Sequence, residues 1–357
     1  MSQRGSTGAS DGEDDVAGRV TLADVARIAG VSLATASRAL GDGPRKPSEE
    51  LRRRVVDVAE RLHYAPDPAA RAVARGTSTV VGLIVHDISD PYFATIASVV
   101  LDAGEHEGLL TVIADSRRDP DRELRYFTSF RHQRARAIIV AGSRVGSAED
   151  RAALQRQIDL YVGQGGRVAL VSQPELTANT VTVHNAEGAQ ALAVALCGIG
   201  YRDFAVLASP PEYGTANDRL AGFRTGLEEC GFALHADRVF RADFTRDGGY
   251  EAAELMIESD TLPECVFAVN DMMAMGAMAA LRAAGIRIPE DVAVAGFDDI
   301  AALRDIVPAL STVHVPVEKV ARQAVDLVLG DVAGSNERRS VEGRVVLRDS
   351  TPARAVG

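Results

Sequence analysis

The 357-residue sequence is poor in the residue types that carry several specialised chemistries. It contains no tryptophan and only three cysteines, Cys197, Cys230 and Cys265, an odd number without CxxC spacing. This excludes a disulfide framework and a structural zinc site. No apolar run approaches the roughly 18 to 20 residues that span a bilayer, and the first twenty residues lack the apolar core of a signal peptide. We therefore expect a cytoplasmic protein without membrane association.

The common catalytic and nucleotide-binding motifs are also missing. GxGxxG, GxxxxGK[ST] and HExxH do not occur, and the seven histidines are scattered. The acid pairs Asp14–Asp15 and Asp298–Asp299 are sequence neighbours and do not define an acid–base couple. We predict that the protein is not an enzyme and has no catalytic residues, no bound metal and no cofactor.

Charge is distributed unevenly along the chain. Residues 1–19 carry a net charge of −2 and are rich in Gly, Ser and Asp, which is typical of a disordered tail. Residues 20–76 contain ten basic side chains against seven acids, and the remaining 281 residues carry −12. A small basic module joined to a large acidic body suggests that the module binds a polyanion.

Residues 20–64 have the local signals of a helix-turn-helix domain. Thr21 and Asp24 form a T-x-x-D capping pattern, followed by apolar residues at helical spacing. Gly30 permits a tight turn, and Ser32 is a suitable N-cap for a second helix. A third helix with one apolar face follows a Gly- and Pro-containing loop. The pattern predicts a three-helix domain, with a generic three-helix bundle as the alternative.

The second predicted helix keeps side chains that a core does not require. Arg38 can donate two hydrogen bonds to O6 and N7 of guanine, while Leu33 and Ala34 can contact thymine methyl groups. Thr35 and Ser37 can reach phosphates or base edges. We therefore predict that this helix binds the major groove of double-stranded DNA.

Two long segments resemble the LacI/GalR family of transcription regulators. VTLADVARIAGVSLATASRAL resembles its N-terminal signature, and VNDMMAMGAMAALRAAGIRIPEDVAVAGFDD resembles its effector-domain signature. The resemblance runs from about Val20 to about Ser350 and implies a homodimeric regulator, by default a repressor, on a palindromic operator. It also implies that residues 65–79 are a hinge whose short helix orders in the minor groove, whereas the residues alone also permit an inert tether.

The hinge departs from the family at one position. Val73 stands where the family usually has a leucine that wedges open a base step, and a β-branched residue is a poorer helix former. The predicted DNA-binding residues are Thr21, Ser32, Leu33, Ala34, Thr35, Ser37, Arg38, Arg71 and Val73.

The remainder of the chain is predicted to be an α/β body. From Val80 onward, short β-branched runs alternate with helical stretches, which is typical of parallel sheets with crossover helices. Residues 80–350 are too many for one ordinary sheet, so we predict two linked α/β subdomains. By resemblance this is a periplasmic-binding-protein-like effector and dimerisation domain, followed by a loose tail at 351–357.

Polar and aromatic residues follow several of the predicted strands. Ligands bind beyond the carboxyl ends of parallel strands, so we expect these side chains to line one cleft that suits a neutral polyol such as a sugar or nucleoside. Taken singly, Ser143, Asn270 and Asp298 could equally be helix N-caps. With the residues that the resemblance adds, the predicted effector-binding residues are Asp87, Tyr92, Phe93, Ser143, Thr215, Arg219, Phe244, Asn270 and Asp298.

Departures from the family narrow the effector. Ser172 and Gln173 replace an Asp-Arg pair, which removes a carboxylate acceptor, and Tyr213 replaces a basic residue of purine-responsive members, which argues against a purine base. We predict a regulator that responds to a sugar or related polyol. The alternatives are a nucleoside-responsive regulator and a sugar-binding protein without a DNA role, but the latter requires a signal peptide and no DNA-binding module.

Overall fold

The structure is a computed structural model that describes residues 20–41, 47–65, 77–143, 145–259, 261–330 and 336–354. These residues fall into two compact units, one within residues 1–75 and the other within 76–357. The predicted tail at 1–19 and the predicted hinge residues Arg71 and Val73 lie outside the described residues. Among the described helices, none is both long enough and apolar enough to cross a membrane.

In its described residues, the first unit consists of three helices: α1 (Leu22–Ala29), α2 (Leu33–Leu40) and α3 (Glu49–Arg61). The predicted capping box begins α1, because Thr21 and Asp24 each accept a hydrogen bond from the other's backbone N–H. The helix ends at Gly30, whose φ of 65° is a left-handed conformation that favours glycine. Buried valines and alanines from the three helices form one small core, which confirms the predicted three-helix domain.

The second unit contains two parallel sheets, and the first sheet has six strands in the described residues. They are β1 (Val80–Val85), β2 (Leu110–Asp115), β3 (Ala137–Ala141), β4 (Val168–Val171), β5 (Asn179–Val183) and β11 (Arg338–Val341). All pair in parallel, in the order β11-β5-β4-β3-β1-β2. The helices of this first subdomain are α4 (Pro91–His106), α5 (Pro120–His132), α6 (Ala148–Gly163) and α11 (Val317–Leu329).

The second sheet has four parallel strands among the described residues of this unit. They are β6 (Phe204–Ala208), β7 (Val239–Arg241), β8 (Cys265–Ala268) and β9 (Ala293–Ala295), in the order β7-β6-β8-β9. The helices of this second subdomain are α7 (Asn185–Gly198), α8 (Gly214–Glu229), α9 (Arg246–Ile257) and α10 (Asp271–Ala283). A short antiparallel pair, β10 (Thr312–His314) and β12 (Arg344–Val346), adjoins it.

In the part of the second unit that the structure describes, the chain passes between the two subdomains three times. It leaves the first subdomain after β5, returns to it after β10 to form α11 and β11, and leaves again into β12. Each crossing is short. The two-subdomain α/β body predicted from the alternation of strands and helices is therefore confirmed.

Two features of the body differ from the sequence-based expectation. The sequence did not predict strands β5, β7, β10 and β11. Strands β7 and β10 are short, with three residues each, and β11 is a polar edge strand with the sequence RRSV. The loose tail predicted from Thr351 is wrong as far as Arg354. The buried Thr351 hydroxyl bonds the Ser311 hydroxyl, and Arg354 pairs with Glu264 and donates its N–H to Ile199.

Candidate functional site

Four of the predicted DNA-binding residues, all on α2, lie on one exposed helix face. Leu33 is 56% exposed although it is a leucine, and Ala34, Ser37 and Arg38 are also exposed, whereas Ala36 and Ala39 face the core. An α-helix with one small, polar and basic face open to solvent can enter the 12 Å major groove of DNA. The exposed face of α2 is therefore accessible for a contact of this kind.

The remaining described residues of the predicted DNA site have structural roles as well. The Thr21 hydroxyl donates to the Asp24 carboxylate and accepts from the Asp24 N–H. Ser32 is the N-cap of α2, with its hydroxyl 3.1 Å from the Thr35 nitrogen and 2.8 Å from the Thr35 hydroxyl. These three polar side chains therefore stabilise helix starts whether or not they contact a phosphate.

A cavity lies at the carboxyl ends of both parallel sheets in the second unit. Eight of the nine predicted effector residues line it: Tyr92, Phe93, Ser143, Thr215, Arg219, Phe244, Asn270 and Asp298. Asp87 does not line it, but pairs with the cavity residue Arg118 at 3.3 Å. The expected convergence of strand ends from both subdomains is thus present.

Arg219 holds the centre of the second-subdomain wall. Its guanidinium group donates to Asp298 through two nitrogens, at 2.8 and 3.3 Å, to the Asn185 Oδ1 at 2.9 Å and to the Val269 carbonyl at 2.8 Å. It also lies 3.9 Å above the Phe297 ring. Four of its five N–H donors are thus engaged by the protein, so the side chain is held rigidly and both charges of the buried pair are balanced.

Two neighbouring buried carboxyl groups, Asp298 of this pair and Asp271, have raised pKa values. Burial raises the pKa of Asp298, and the ion pair with Arg219 opposes that rise. Burial, together with the nearby Asp298 charge, raises the pKa of Asp271, which accepts hydrogen bonds from the Ile300 N–H and the Thr312 hydroxyl. The second-subdomain wall is therefore joined by hydrogen bonds to the β10 crossover strand.

The first-subdomain wall is built on the start of α4 and the loop after β2. Asp90 caps α4 by accepting from the Tyr92 N–H, and its burial raises the pKa of its carboxyl group. Burial also raises the pKa of the Tyr92 phenol. Phe93 packs edge-on against Tyr92, with ring centroids 5.2 Å apart. This wall therefore offers aromatic surface beside a carboxyl group.

Hydrogen bonds join the two walls directly across the cleft. The Thr215 N–H donates to the Ser143 hydroxyl at 3.0 Å, and the Gln173 amide donates to the Thr215 hydroxyl at 2.8 Å and to Asp218 at 3.4 Å. Ser143 and Gln173 follow strands of the first sheet, while Thr215 and Asp218 belong to α8. The cleft is therefore closed in this structure.

Asn270 is both a cavity residue and a helix cap. It is buried, and its Oδ1 accepts from the Met273 N–H at the start of α10. Ser143 and Asp298, by contrast, do not cap the helix that follows them in the chain; the Ser143 hydroxyl accepts from the Thr215 N–H in the first turn of α8, and the Asp298 carboxylate accepts from Arg219. The capping alternative therefore holds for one of the three residues.

Several cavity residues were not among the predicted effector residues: His86, Asp90, Arg118, Gln173 and Asn185. His86 directly follows β1, where the strand-end signal selected its neighbour Asp87 instead. Arg118 lies on a loop with a left-handed φ of 60°, which no local pattern predicted.

Both units match known protein families. Residues 21–67 match the model described as "Bacterial regulatory proteins, lacI family", and residues 193–351 match the "Periplasmic binding protein-like domain". The repressor CytR of Escherichia coli K12 is 30% identical over 339 residues, which cover 93% of this chain and 96% of CytR. The chain belongs to the LacI family. The LacI-family regulator GalR of E. coli K12 is 32% identical over 311 residues, covering 87% of this chain and 88% of GalR.

Solved LacI-family structures share the fold. The lac repressor dimer bound to operator and the anti-inducer ONPF superposes with a TM-score of 0.76 at 22% identity, covering 94% of this chain and 99% of that chain. A complex of the regulator CelR with cellobiose has a TM-score of 0.65 at 26% identity, covering 93% of this chain and 100% of CelR. The predictions of a LacI-family fold and of a DNA-binding transcription regulator with an effector domain are confirmed.

Proposed function

We propose that this LacI-family protein is a cytoplasmic repressor that binds a palindromic operator as a homodimer and responds to a neutral polyol. In this proposal α2 lies in the major groove, and a sugar or a nucleoside occupies the closed cavity. The protein acts by binding, and no step of the proposal involves catalysis.

The exposed face of α2 supports the DNA part of the proposal. Leu33, Ala34 and Arg38 lie together on that face and have the chemistry that reads thymine methyl groups and guanine edges. A two-fold symmetric dimer would place two such helices in successive major grooves of a palindromic site.

The charge balance of the cavity is the observation that carries the effector class. Arg219 is neutralised by Asp298, and Arg118 pairs with Asp87 and lies near the buried Asp90. A phosphate or carboxylate on the ligand would therefore meet no uncompensated cation among these groups. Hydroxyl groups can instead use the remaining carboxylate, amide and hydroxyl oxygens, while Phe93 and Phe244 cover the apolar face of a ring.

The hydrogen bonds across the cleft support a coupling between effector and operator. A ligand enclosed by both walls binds the closed form better than the open form, so it shifts that equilibrium. The three crossings connect the two subdomains to each other. In this proposal, a change in the spacing of the subdomains reaches the hinge segment at 65–79.

A thermal-unfolding screen tests the effector class. The full-length protein is heated with a reporter dye, because tryptophan is absent, beside neutral sugars, polyols and nucleosides and their phosphate esters at equal concentration. A compound at one hundred times its Kd stabilises the protein by about 2.7 kcal/mol. We expect neutral compounds to raise the Tm more than their phosphate esters. The reverse order would contradict the proposal.

Arg38→Ala tests the placement of α2. We expect a loss of about 1 to 3 kcal/mol against an operator selected from random duplexes, because one bidentate guanine contact disappears, with little change on unrelated DNA. Arg54→Ala on α3, also an exposed arginine, is the control for lost charge. Equal loss on both kinds of DNA in Arg38→Ala would contradict base readout.

A further inference from the structure

Arg118 lines the cavity and has unused hydrogen-bond donors. It lies on the loop between β2 and α5, and its side chain is 11% exposed. Among the described residues, its side chain makes one hydrogen bond, from Nη1 to the Asp87 Oδ2 at 3.3 Å. A guanidinium group has five N–H donors, so four remain. In the part of the chain that the structure describes, no Arg118 nitrogen is buried without a hydrogen-bond partner. The unused donors are therefore accessible to a ligand or to solvent.

The backbone of the loop holds Arg118 in place. Arg117 and Arg118 have φ angles of 52° and 60°, so two successive residues are left-handed without being glycine. Such a conformation is uncommon and persists where the surroundings enforce it. Here the Arg117 N–H donates to the Asp115 Oδ1 at 2.9 Å. The N–H and the hydroxyl of Ser116 both donate to the Val85 carbonyl at the end of β1, at 2.9 and 3.1 Å. The loop is therefore fixed to the neighbouring strand before α5 begins.

Asp87 orients the Arg118 side chain and balances its charge. The Asp87 Oδ1 accepts from the Ser89 N–H at 3.0 Å and from the Ser89 hydroxyl at 2.5 Å, while Oδ2 accepts from Arg118. Partial burial acts to raise the pKa of Asp87, but the hydrogen bonds from Ser89 and the charge of Arg118 outweigh it and lower that pKa. Asp87 is therefore ionised at neutral pH. Arg118 is neutralised as a charge but not satisfied as a donor.

The two arginines of the cavity differ in how their donors are used. Arg219 donates four hydrogen bonds within the second-subdomain wall, whereas the Arg118 side chain donates one to the described residues. Burial raises the pKa of Tyr213, which directly precedes α8, and the nearby positive charge of Arg118 opposes that rise. Arg118 therefore lies near the opposite wall of the cleft, where a bound ligand would contact both subdomains.

The planar guanidinium fork suits two neighbouring oxygen acceptors. Each hydroxyl oxygen has lone pairs that accept hydrogen bonds, and the two hydroxyls of a vicinal diol lie on adjacent carbons. A neutral diol uses the free donors without adding a charge, whereas an anion would compete with Asp87 for a charge that is already balanced. The chemistry of this wall therefore favours a vicinal diol.

We propose that Arg118 is a specificity-determining residue of the cavity that donates hydrogen bonds to two adjacent hydroxyl oxygens of the effector. Asp87 is a positioning residue that acts through Arg118. The inference rests on the proposed binding of a neutral polyol and adds that the effector carries a vicinal diol on the edge that faces the first subdomain.

Binding of defined compounds tests the contact. The probes are D-glucose, D-galactose, D-ribose, cytidine and uridine, measured by calorimetry with the full-length protein. For a probe that binds the wild type, we expect Arg118→Ala to lose affinity on the order of tenfold, consistent with the loss of hydrogen bonds from a charged donor. Arg118→Lys keeps the charge but not the fork, so it should recover only part of the loss. Arg117→Ala, on the same loop but exposed, is the matched control and should bind as the wild type does.

Monodeoxy analogues of the bound probe locate the diol. In the wild type, removal of either hydroxyl of one vicinal pair should weaken binding, whereas in Arg118→Ala the same removals should have little further effect, because the two changes delete one interaction. Equal penalties in both proteins for every hydroxyl would overturn the proposal.

Asp87→Asn gives a readout that a merely structural role would not move. Asparagine can still accept from Arg118 but lacks the charge, so Arg118 becomes an uncompensated cation. The phosphate ester of the bound probe should then gain affinity relative to the neutral probe, and an unchanged preference for the neutral probe would contradict the role of Asp87. A probe that Arg118→Ala binds as tightly as the wild type would overturn this inference alone. If none of the five probes binds the wild type, the proposed polyol effector and this inference fail together.

Discussion

The two walls of the effector cavity are built on different physical principles. The second-subdomain wall is organised by one buried arginine whose donors are mostly used by Asp298, Asn185 and a backbone carbonyl. The first-subdomain wall consists of smaller, separate groups: a helix cap at Asp90, the partly exposed Arg118–Asp87 pair and two aromatic rings.

Rigidity and selectivity belong to different walls of this one cavity. A buried ion pair with its hydrogen bonds satisfied holds a fixed geometry, and breaking it costs far more than breaking a surface pair. Groups with fewer internal partners keep more capacity for a ligand. We therefore expect the second-subdomain wall to set the position of the effector and the first-subdomain wall to select its identity. Four measurements test this difference between the two walls.

Asp298→Ala should have the largest effect. It leaves the Arg219 charge buried without its carboxylate, which costs about 3 to 5 kcal/mol, and it should also abolish effector binding. Urea unfolding of the full-length protein measures the loss in the free energy of unfolding. A variant as stable as the wild type would show that this wall is not held by the pair.

Asp271→Asn should flatten the pH dependence of stability. Because burial raises the pKa of Asp271, the folded state binds a proton more tightly than the unfolded state. The free energy of unfolding therefore falls as pH rises from about 4, the ordinary carboxyl value, into the neutral range. Asparagine does not titrate and can still accept from the Ile300 N–H and donate to the Thr312 hydroxyl.

Urea unfolding between pH 4 and 8 measures this slope, and we expect Asp271→Asn to retain stability better than the wild type at the upper end. Asp291→Asn is the control, because hydrogen bonds from Arg287 lower the pKa of the exposed Asp291 to about 2. That group titrates below this window, so its variant should keep the wild-type slope. A wild-type slope in Asp271→Asn would mean that Asp271 is ionised throughout.

Ser143→Ala should loosen the cleft by a smaller amount. It removes the acceptor of the Thr215 N–H across the two walls, a bond worth about 0.5 to 1.5 kcal/mol. Amide hydrogen exchange in the peptide that contains Thr215 should accelerate by a factor of about three to ten. Ser129→Ala, which removes an exposed hydroxyl bonded within α5, should leave that peptide unchanged.

Asp87→Ala should have the smallest effect. Its pair with Arg118 is partly exposed, with 28% and 11% of the two side chains accessible, so we expect a loss of no more than about 1 kcal/mol. The same urea titration used for Asp298→Ala gives the direct comparison. A loss as large as that of Asp298→Ala would remove the distinction between the walls.

The sequence predicted the first unit well because its signals are local. The capping box at Thr21, the turn at Gly30 and the N-cap at Ser32 each depend on residues within four positions, and the structure contains all three. The parallel sheets followed from the alternation of apolar strands with helices. The polar edge strand β11 escaped because its side chains are not those of a buried strand.

The cavity was predictable as a set of residues but not as an arrangement. Family resemblance and strand ends named Arg219 and Asp298, yet the bond between them joins positions 79 residues apart and has no local signal. Successive residues of a strand point to opposite faces of the sheet. His86 and Asp87 follow the end of β1, and the path of the backbone there places His86 in the cavity lining and Asp87 outside it. Only the folded backbone decides between two such neighbours.

The three crossings also dictate an order of events during synthesis. The first sheet incorporates β11, and α11 packs on that sheet. The first subdomain therefore cannot be completed until residues 317–341 have left the ribosome. The helix-turn-helix unit is complete some 280 residues earlier and can fold as soon as it emerges, since domains fold as units during translation. For most of its synthesis, the chain therefore carries a finished DNA-binding unit without the ligand-binding unit that would control it.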